Sequence, residues 1–276
     1  MVAKYSRCTL MPGIGTVLGL SPRISDEVGY GCLAIGTRAK LDVSSVLDAT
    51  RIEGRHELAP GVVHLWHRQL TAPLAEVNAC YGLLSQEEKE RAMRFRIDRP
   101  RTDFVLTRGT LRLLLAHYLN TSPQHVCFRY AAQGKPALVG ESELYFNASH
   151  TEGLALMAFA HRRAIGVDVE NLERKIEVGR LAERFFSERE KQALKQLRGD
   201  ELQAAFFRCW TRKEAYIKAK GDGLSLPLDQ FDVSITADDR DALLATRPDP
   251  AEATRWTIRD VAVGAGYAAA VAVAES

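Results

Sequence analysis

The sequence predicts an α+β protein made of two similar lobes with a ligand cleft between them. Three observations predict it. The 276 residues are enough for two lobes that each bury a core of their own. Strand-like and helix-like stretches follow one another in the same order in both halves. Finally, Ser85-Gln86-Glu87-Glu88-Lys89 in one half is echoed by Ser187-Glu188-Arg189-Glu190-Lys191 in the other, each opening a helix that precedes a longer one. The expected boundaries are an extension over 1–60, a first lobe over 61–163 and a second over 164–276.

The extension is rich in Gly and small polar residues and lacks a sustained helical or strand period. Within it, Ile52-Glu53-Gly54-Arg55 matches a protease site, a four-residue pattern too short to carry meaning. A strand is expected over 62–66, followed by a helix opened by Ser85. Glu88, three residues on, completes a capping box. The next helix puts Phe104, Leu111, Leu114, Leu115 and Leu119 on one face and ends at Asn120-Thr121-Ser122-Pro123. Short strands are expected over 126–130, 144–147 and 154–160. The second lobe begins with a strand over 164–169, continues through helices between about 178 and 220, and closes with strands near 231–235, 256–263 and 267–273.

Composition excludes several classes. Hydrophobic residues make up 46% and charged residues 26%, as in a soluble globular chain. A formal net charge of +2 argues against nucleic acid as partner. The one early apolar stretch, 10–20, is broken by Pro12, Gly13, Gly15 and Gly19 and is too short to span a bilayer. The five cysteines are scattered, with no C-x-x-C pair, and read as reduced thiols of a cytoplasmic protein. Charge placement says more than its sum: Arg91, Arg94, Arg96, Arg99, Arg101, Arg108 and Arg112 face only Asp98 and Asp103, a run that suits an anionic ligand or a solvated helix face.

Asp168 and Glu170 are two apart in Ile165-Gly166-Val167-Asp168-Val169-Glu170, so a strand points both to one side while Val167 and Val169 face the core. Paired hard oxygen ligands suit Mg²⁺; the alternative is an acidic edge strand turned to water. In Trp210-Thr211-Arg212-Lys213-Glu214-Ala215-Tyr216-Ile217-Lys218, Glu214 and Lys218 share a helix face. Elsewhere that is a surface ion pair, but the apolar neighbours Phe206, Phe207, Trp210 and Ile217 argue for a partly buried site. Asn147-Ala148-Ser149-His150 offers a hydroxyl and an imidazole suited to phosphate oxygens, or merely connects strands. A hydrolase using Ser149 and His150 would need triad geometry that adjacent residues seldom reach, and no G-x-S-x-G elbow is present. Gly134-Lys135-Pro136 is a tight turn bearing a cation.

As an ordered set, Gly134-Lys135-Pro136, Phe146-Asn147-x-Ser149-His150, Gly166-Val167-Asp168-Val169-Glu170, Phe185-Phe186-Ser187 and Trp210-x-x-Lys213-Glu214-Ala215-x-x-Lys218-x-x-Gly221-x-Gly223-Leu224 resemble the Sfp-type 4′-phosphopantetheinyl transferases. The resemblance covers 61 to the C-terminus. It implies an enzyme that moves the phosphopantetheine arm of coenzyme A onto a serine of an acyl or peptidyl carrier protein, releasing adenosine 3′,5′-bisphosphate. The alternative is a coenzyme A-binding or carrier-binding module without turnover.

By resemblance, Asp168, Glu170 and Glu214 hold Mg²⁺ against the pyrophosphate, Lys218 contacts that pyrophosphate, and Glu214 accepts the serine proton directly or through a metal-bound water. The turn at Gly134, Lys135 and Pro136 lies near the adenine. Ser149 and His150 contact phosphate, His150 at the 3′-phosphate, with Arg91, Arg99, Arg101 and Arg129 as the basic candidates beside it. Two fused lobes are expected to act as a monomer, with no membrane partner.

Overall fold

The computed structural model describes residues 47–49, 58–131, 134–221, 226–237, 239 and 242–275. The stretches 10–20 and 52–55, and Gly223, Leu224 and Ser225 at the end of the last motif, lie outside the described residues.

The chain forms one structural plan twice. In the first half come β2 (Val63–Gln69), α1 (Leu74–Leu83), α2 (Gln86–Arg94) and α3 (Asp98–Leu119), then the ribbon β3 (Phe128–Tyr130) and β4 (Pro136–Leu138), and finally β5 (Leu144–Thr151) and β6 (Leu154–His161). The second half repeats the order with β7 (Ile165–Asn171), α4 (Val178–Phe185), α5 (Glu188–Leu194) and α6 (Gly199–Lys220), the ribbon β8 (Phe231–Val233) and β9 (Leu243–Thr246), and β10 (Trp256–Asp260) with β11 (Tyr267–Ala274). The sheets match too. One runs β2-β6-β5 and the other β7-β11-β10, antiparallel throughout, so the last strand of each half lies in the middle of its sheet.

The duplication reaches individual contacts. Ser85 caps α2 and Ser187 caps α5, each with the reciprocal glutamate bond of a capping box. Glu88 also accepts from Arg112 of α3 at 2.5 Å, and Arg112 donates to the carbonyls of Pro123 and Val126. In the second lobe Glu190 pairs with Lys213 of α6 at 2.7 Å, and Lys213 donates to the carbonyls of Leu228 and Phe231. A buried cation on each long helix thus ties the short capped helix to the turn that follows. Removing one partner of such a pair costs about 3–5 kcal/mol, because the other charge is stranded.

Alternation along β6 assigns its two faces. Ala155, Met157 and Phe159 join a core with α1 and α3, whereas Leu154, Leu156, Ala158 and Ala160 join a second core with Val63 and Leu65 of β2 and with Ile165, Val167, Val169, Val271 and Val273 of the other lobe. A third core lies between α6 and the outer face of β10 and β11. The molecule is therefore layered helix, sheet, sheet, helix, with β6 apolar and buried on both faces from Leu154 to Ala160.

Four features differ from the sequence expectation. The helix α1 shows no segregation of apolar residues to one face, so it carries no periodic signal; it is held where Cys80 meets Gly109 of α3, at which a Cβ would stand 2.7 Å from the Cys80 Cβ. The ribbon strands β4 and β9 are too short to show a pattern. The helix α3 starts six residues before Phe104, at Asp98. Finally, β1 (Leu47–Asp48) falls inside the expected 1–60 extension yet pairs in parallel with Trp66 and His67 of β2, and Ala49 is buried in the first core.

Candidate active site

The two lobes meet along the edge strands β5 and β7, and there side chains replace a backbone ladder. Asn147 Oδ1 accepts from the Val167 amide at 2.9 Å, Ser149 Oγ donates to Asp168 Oδ1 at 2.8 Å, and Thr151 Oγ1 lies 3.4 Å from Glu170 Oε2 while accepting from the Asn171 amide. Ser149 and Thr151, two apart on β5, meet the side chains of Asp168 and Glu170, two apart on β7, as the strand period requires.

The same period turns Gly166, Asp168 and Glu170 toward α6, opposite to the buried Val167 and Val169. At Gly166 a Cβ would collide with the Ala215 carbonyl and the Ala219 backbone, so only glycine lets the helix come this close. On α6, Ala215 and Ala219 touch the strand while Glu214 and Lys218 sit one residue before each, four apart on a shared face. Lys218 Nζ reaches Asp168 Oδ1 at 2.6 Å and Ser149 Oγ at 3.1 Å.

Asp168 is 4% exposed, and its second oxygen, Oδ2, is buried with no hydrogen-bond partner. Glu170 and Glu214 flank it electrostatically. Burial raises the pKa of both above the usual carboxylate range; Asp168 adds to the rise at Glu170, and at Glu214 the help of Lys218 is opposed by Asp168 and Glu170. Glu170 is further held by Arg174 at 3.4 Å. Among the described residues no group of three or more His, Cys, Asp and Glu side chains is gathered as a metal centre; Asp168 pairs with Lys218 and Glu170 with Arg174.

His150 follows Phe146 and Ala148 along one face of β5, the face turned to the helices of the first lobe. Its imidazole is held below its ordinary value by desolvation, with Asp103 opposing and Lys218, Arg91 and Arg108 reinforcing the fall. Arg91 lies over the Phe104 ring at 5.1 Å. Of the other expected arginines, Arg99 pairs with Asp103 at 3.0 Å, Arg101 with Asp98 at 2.5 Å, and Arg129 donates to the Leu138 carbonyl at 3.1 Å. Arg108, which sequence reading placed in the cationic run without singling it out, packs over Phe128 at 5.1 Å and has a buried Nη1 with no partner. Besides its membership of that run, its sequence signal is its place one turn before Arg112 on α3.

Gly134 takes a left-handed backbone, φ 83°, and lets the ribbon turn back on itself. Lys135 then points inward to backbone carbonyls of the second lobe, and burial lowers its pKa to about 8. Lys213, although part of the last motif, is wholly buried in its pair with Glu190 and faces no open site. A depression of about 880 Å³ on the first lobe is lined by Leu113, His117, Asn120, Glu143 and His161, and none of the expected site residues borders it.

Known proteins resemble this chain in sequence. A family model described as 4'-phosphopantetheinyl transferase superfamily matches residues 164–272, and one described as 4'-phosphopantetheinyl transferase, N-terminal, matches 71–162. The 4'-phosphopantetheinyl transferase HetI of a Nostoc species is 39% identical over 77% of this chain and 87% of its own length. The 4'-phosphopantetheinyl transferase Sfp of Bacillus subtilis is 32% identical over 57% of this chain and 69% of its own. A solved holo-(acyl-carrier-protein) synthase from Bacillus anthracis, in complex with CoA (3',5'-ADP), is 27% identical with a TM-score of 0.32, covering 41% of this chain and 96% of that one. Motifs, duplicated lobes and relatives agree, and the chain belongs to the Sfp-type 4′-phosphopantetheinyl transferases.

Proposed function

We propose that this enzyme transfers the 4′-phosphopantetheine arm of coenzyme A to a serine of an acyl or peptidyl carrier protein, with Mg²⁺ held by Asp168, Glu170 and Glu214 and the reaction confined to the cleft between a first lobe over 61–163 and a second over 164–276. The observation that carries the reading is the Asp168 carboxylate. One oxygen is shared by Lys218 and Ser149, and the other is buried with no donor, beside two carboxyls whose pKa values are raised partly by crowding. A divalent cation satisfies the orphaned oxygen and relieves that repulsion, and hard carboxylate donors suit Mg²⁺. When bound, Mg²⁺ supplies charge neutralisation to the pyrophosphate.

The rest falls to the chain. The carrier serine hydroxyl attacks the β-phosphorus, a new phosphodiester oxygen bond forms, and the pyrophosphate bond to adenosine 3′,5′-bisphosphate breaks. Glu214 takes the hydroxyl proton. Lys218 offsets the charge that grows on the leaving phosphate. His150, with Arg91, receives the 3′-phosphate on the helix-facing side of β5, and the Gly134 to Pro136 backbone borders the adenine. The described cysteines Cys80, Cys127 and Cys209 are free thiols, as a cytoplasmic enzyme would keep them, and two lobes fused in one chain are the ground for reading a monomer; no described helix is long and apolar enough to cross a membrane.

Glu214→Gln and Lys218→Met test the assignment. Each should lower kcat by roughly 10²–10³-fold, the usual effect of removing a group that acts on developing charge. Near-normal turnover at saturating Mg²⁺ in either variant would remove that residue from the chemistry.

A further inference from the structure

We infer that Lys135 is a positioning residue: its ammonium clamps the C-terminal end of α6 to the start of β7 and thereby fixes where Lys218 stands against Asp168. The inference rests on the reading of Lys218 as the cation that acts on the leaving phosphate.

Helix α6 ends at Gly221, whose left-handed backbone, φ 82°, closes the last turn with an amide bond to the Ile217 carbonyl. The carbonyls of Lys218 and Ala219 lie beyond that bond, among the orphan acceptors that every helix leaves at this end. Lys135 Nζ donates to the Lys218 carbonyl, to the Ala219 carbonyl at 3.3 Å and to the Ile165 carbonyl at 3.4 Å. An ammonium has three N–H donors, and here three carbonyls take them, so none is left for a ligand. The placement of a cation at a helix C-terminus is favourable in itself.

The clamp crosses from one lobe to the other. Lys135 stands in the turn between β3 and β4, whereas Ile165 opens β7 and Lys218 and Ala219 end α6. Ile165 is followed by Gly166, the point at which strand and helix are in closest contact, and two residues farther along the strand is Asp168. The Lys218 side chain leaves the very residue whose carbonyl Lys135 holds, then spans 2.6 Å to Asp168 Oδ1 and 3.1 Å to Ser149 Oγ. With a pKa lowered only to about 8, Lys135 keeps most of its charge at neutral pH. The turn can therefore serve two ends, its backbone bordering ligand and its side chain bracing the catalytic helix.

A double-mutant cycle separates a brace from a ligand contact. We would measure kcat and KM for coenzyme A in wild type, Lys135→Met, Lys218→Met and the double variant, and repeat the cycle with the milder Lys135→Gln, with thermal unfolding of each protein as a fold check. Lys135→Met should lower kcat by about tenfold to a hundredfold, as expected for an ångström-scale displacement of a reacting group, and should leave KM for coenzyme A within about threefold. In the Lys218→Met background the same change should alter kcat by less than about twofold, since the group it positions is gone. Lys135→Gln, which keeps two donors, should fall between. Equal losses in both backgrounds would overturn the inference, as would a raised KM with unchanged kcat, which would make Lys135 a direct ligand contact. Loss of fold in both Lys135 variants would overturn it too, by making the clamp a requirement of the structure. Full activity in Lys218→Met is a separate result that would sink the reading of Lys218 itself.

Discussion

Lys213 and Lys218 lie five residues apart in one motif and do unrelated work. Both are cations on α6, but Lys213 is sealed between Glu190 and two carbonyls, whereas Lys218 is 29% exposed and meets Asp168 at the lobe boundary. Lys213→Met should therefore destabilise the fold by about 3–5 kcal/mol, read by denaturant unfolding, while leaving the KM for coenzyme A of the remaining folded enzyme unchanged. A stable Lys213→Met protein that has lost coenzyme A binding would reverse these roles. His150 is tested through its ligand. If it receives the 3′-phosphate, a hydrogen bond to that charged group is worth about 1.5–3 kcal/mol, or roughly tenfold to a hundredfold in affinity. Calorimetry of wild type and His150→Ala against coenzyme A and its 3′-dephospho form should show that loss for the first ligand only. Equal losses for both would pass the role to Arg91 or Arg108.

At the scale of elements, the close contact of β7 with α6 depends on Gly166. Gly166→Ala would force the helix away from the strand, costing about 1–3 kcal/mol by overpacking, and should lower transfer activity more than stability because Lys218 moves with the helix. An active, fully stable Gly166→Ala enzyme would show that the contact does not position the site. The amino-terminal boundary also has a test. Deleting 1–46 should leave transfer intact, whereas deleting 1–60 also strips β1 from the edge of the sheet and Ala49 from the core, and should lower the melting temperature. Identical melting curves for the two truncations would show that β1 adds nothing.

Much of this was legible in the sequence, for stated physical reasons. Capping boxes, the acidic pair of β7 and the shared face of Glu214 and Lys218 follow from local periods, so their geometry can be read from spacing alone. The helix α1 and β1 have no such period and are held by partners distant in the chain, and the ribbon strands, although they pair with their neighbours in sequence, are too short to show one. The inward turn of Lys135 and the orphaned Nη1 of Arg108 depend on carbonyls and rings brought together only by the fold.

For the whole molecule, three electrostatically coupled carboxyl groups, Asp168, Glu170 and Glu214, lie near the join of the two lobes, and their charge should show in stability. Glu170 and Glu214 have pKa values raised above their ordinary 4.5. Below about 4.5 these groups are protonated both folded and unfolded, and their relative contribution is fully present. As pH rises through the raised values the folded state must accept charge in a crowded, partly buried place, and that stability is lost. The melting temperature in a metal chelator should therefore fall as pH rises above about 4.5, more steeply in wild type than in Glu214→Gln. Equal slopes would mean that Glu214 takes no part in the repulsion. The measurement closest to the central claim is the mass of an apo carrier protein after incubation with this enzyme, coenzyme A and Mg²⁺. The account predicts one phosphopantetheine added per carrier by wild type and none by Asp168→Asn, with both proteins folded. An unmodified carrier with wild type across carriers of the fatty-acid, polyketide and nonribosomal peptide classes, or equal modification by Asp168→Asn, would contradict it.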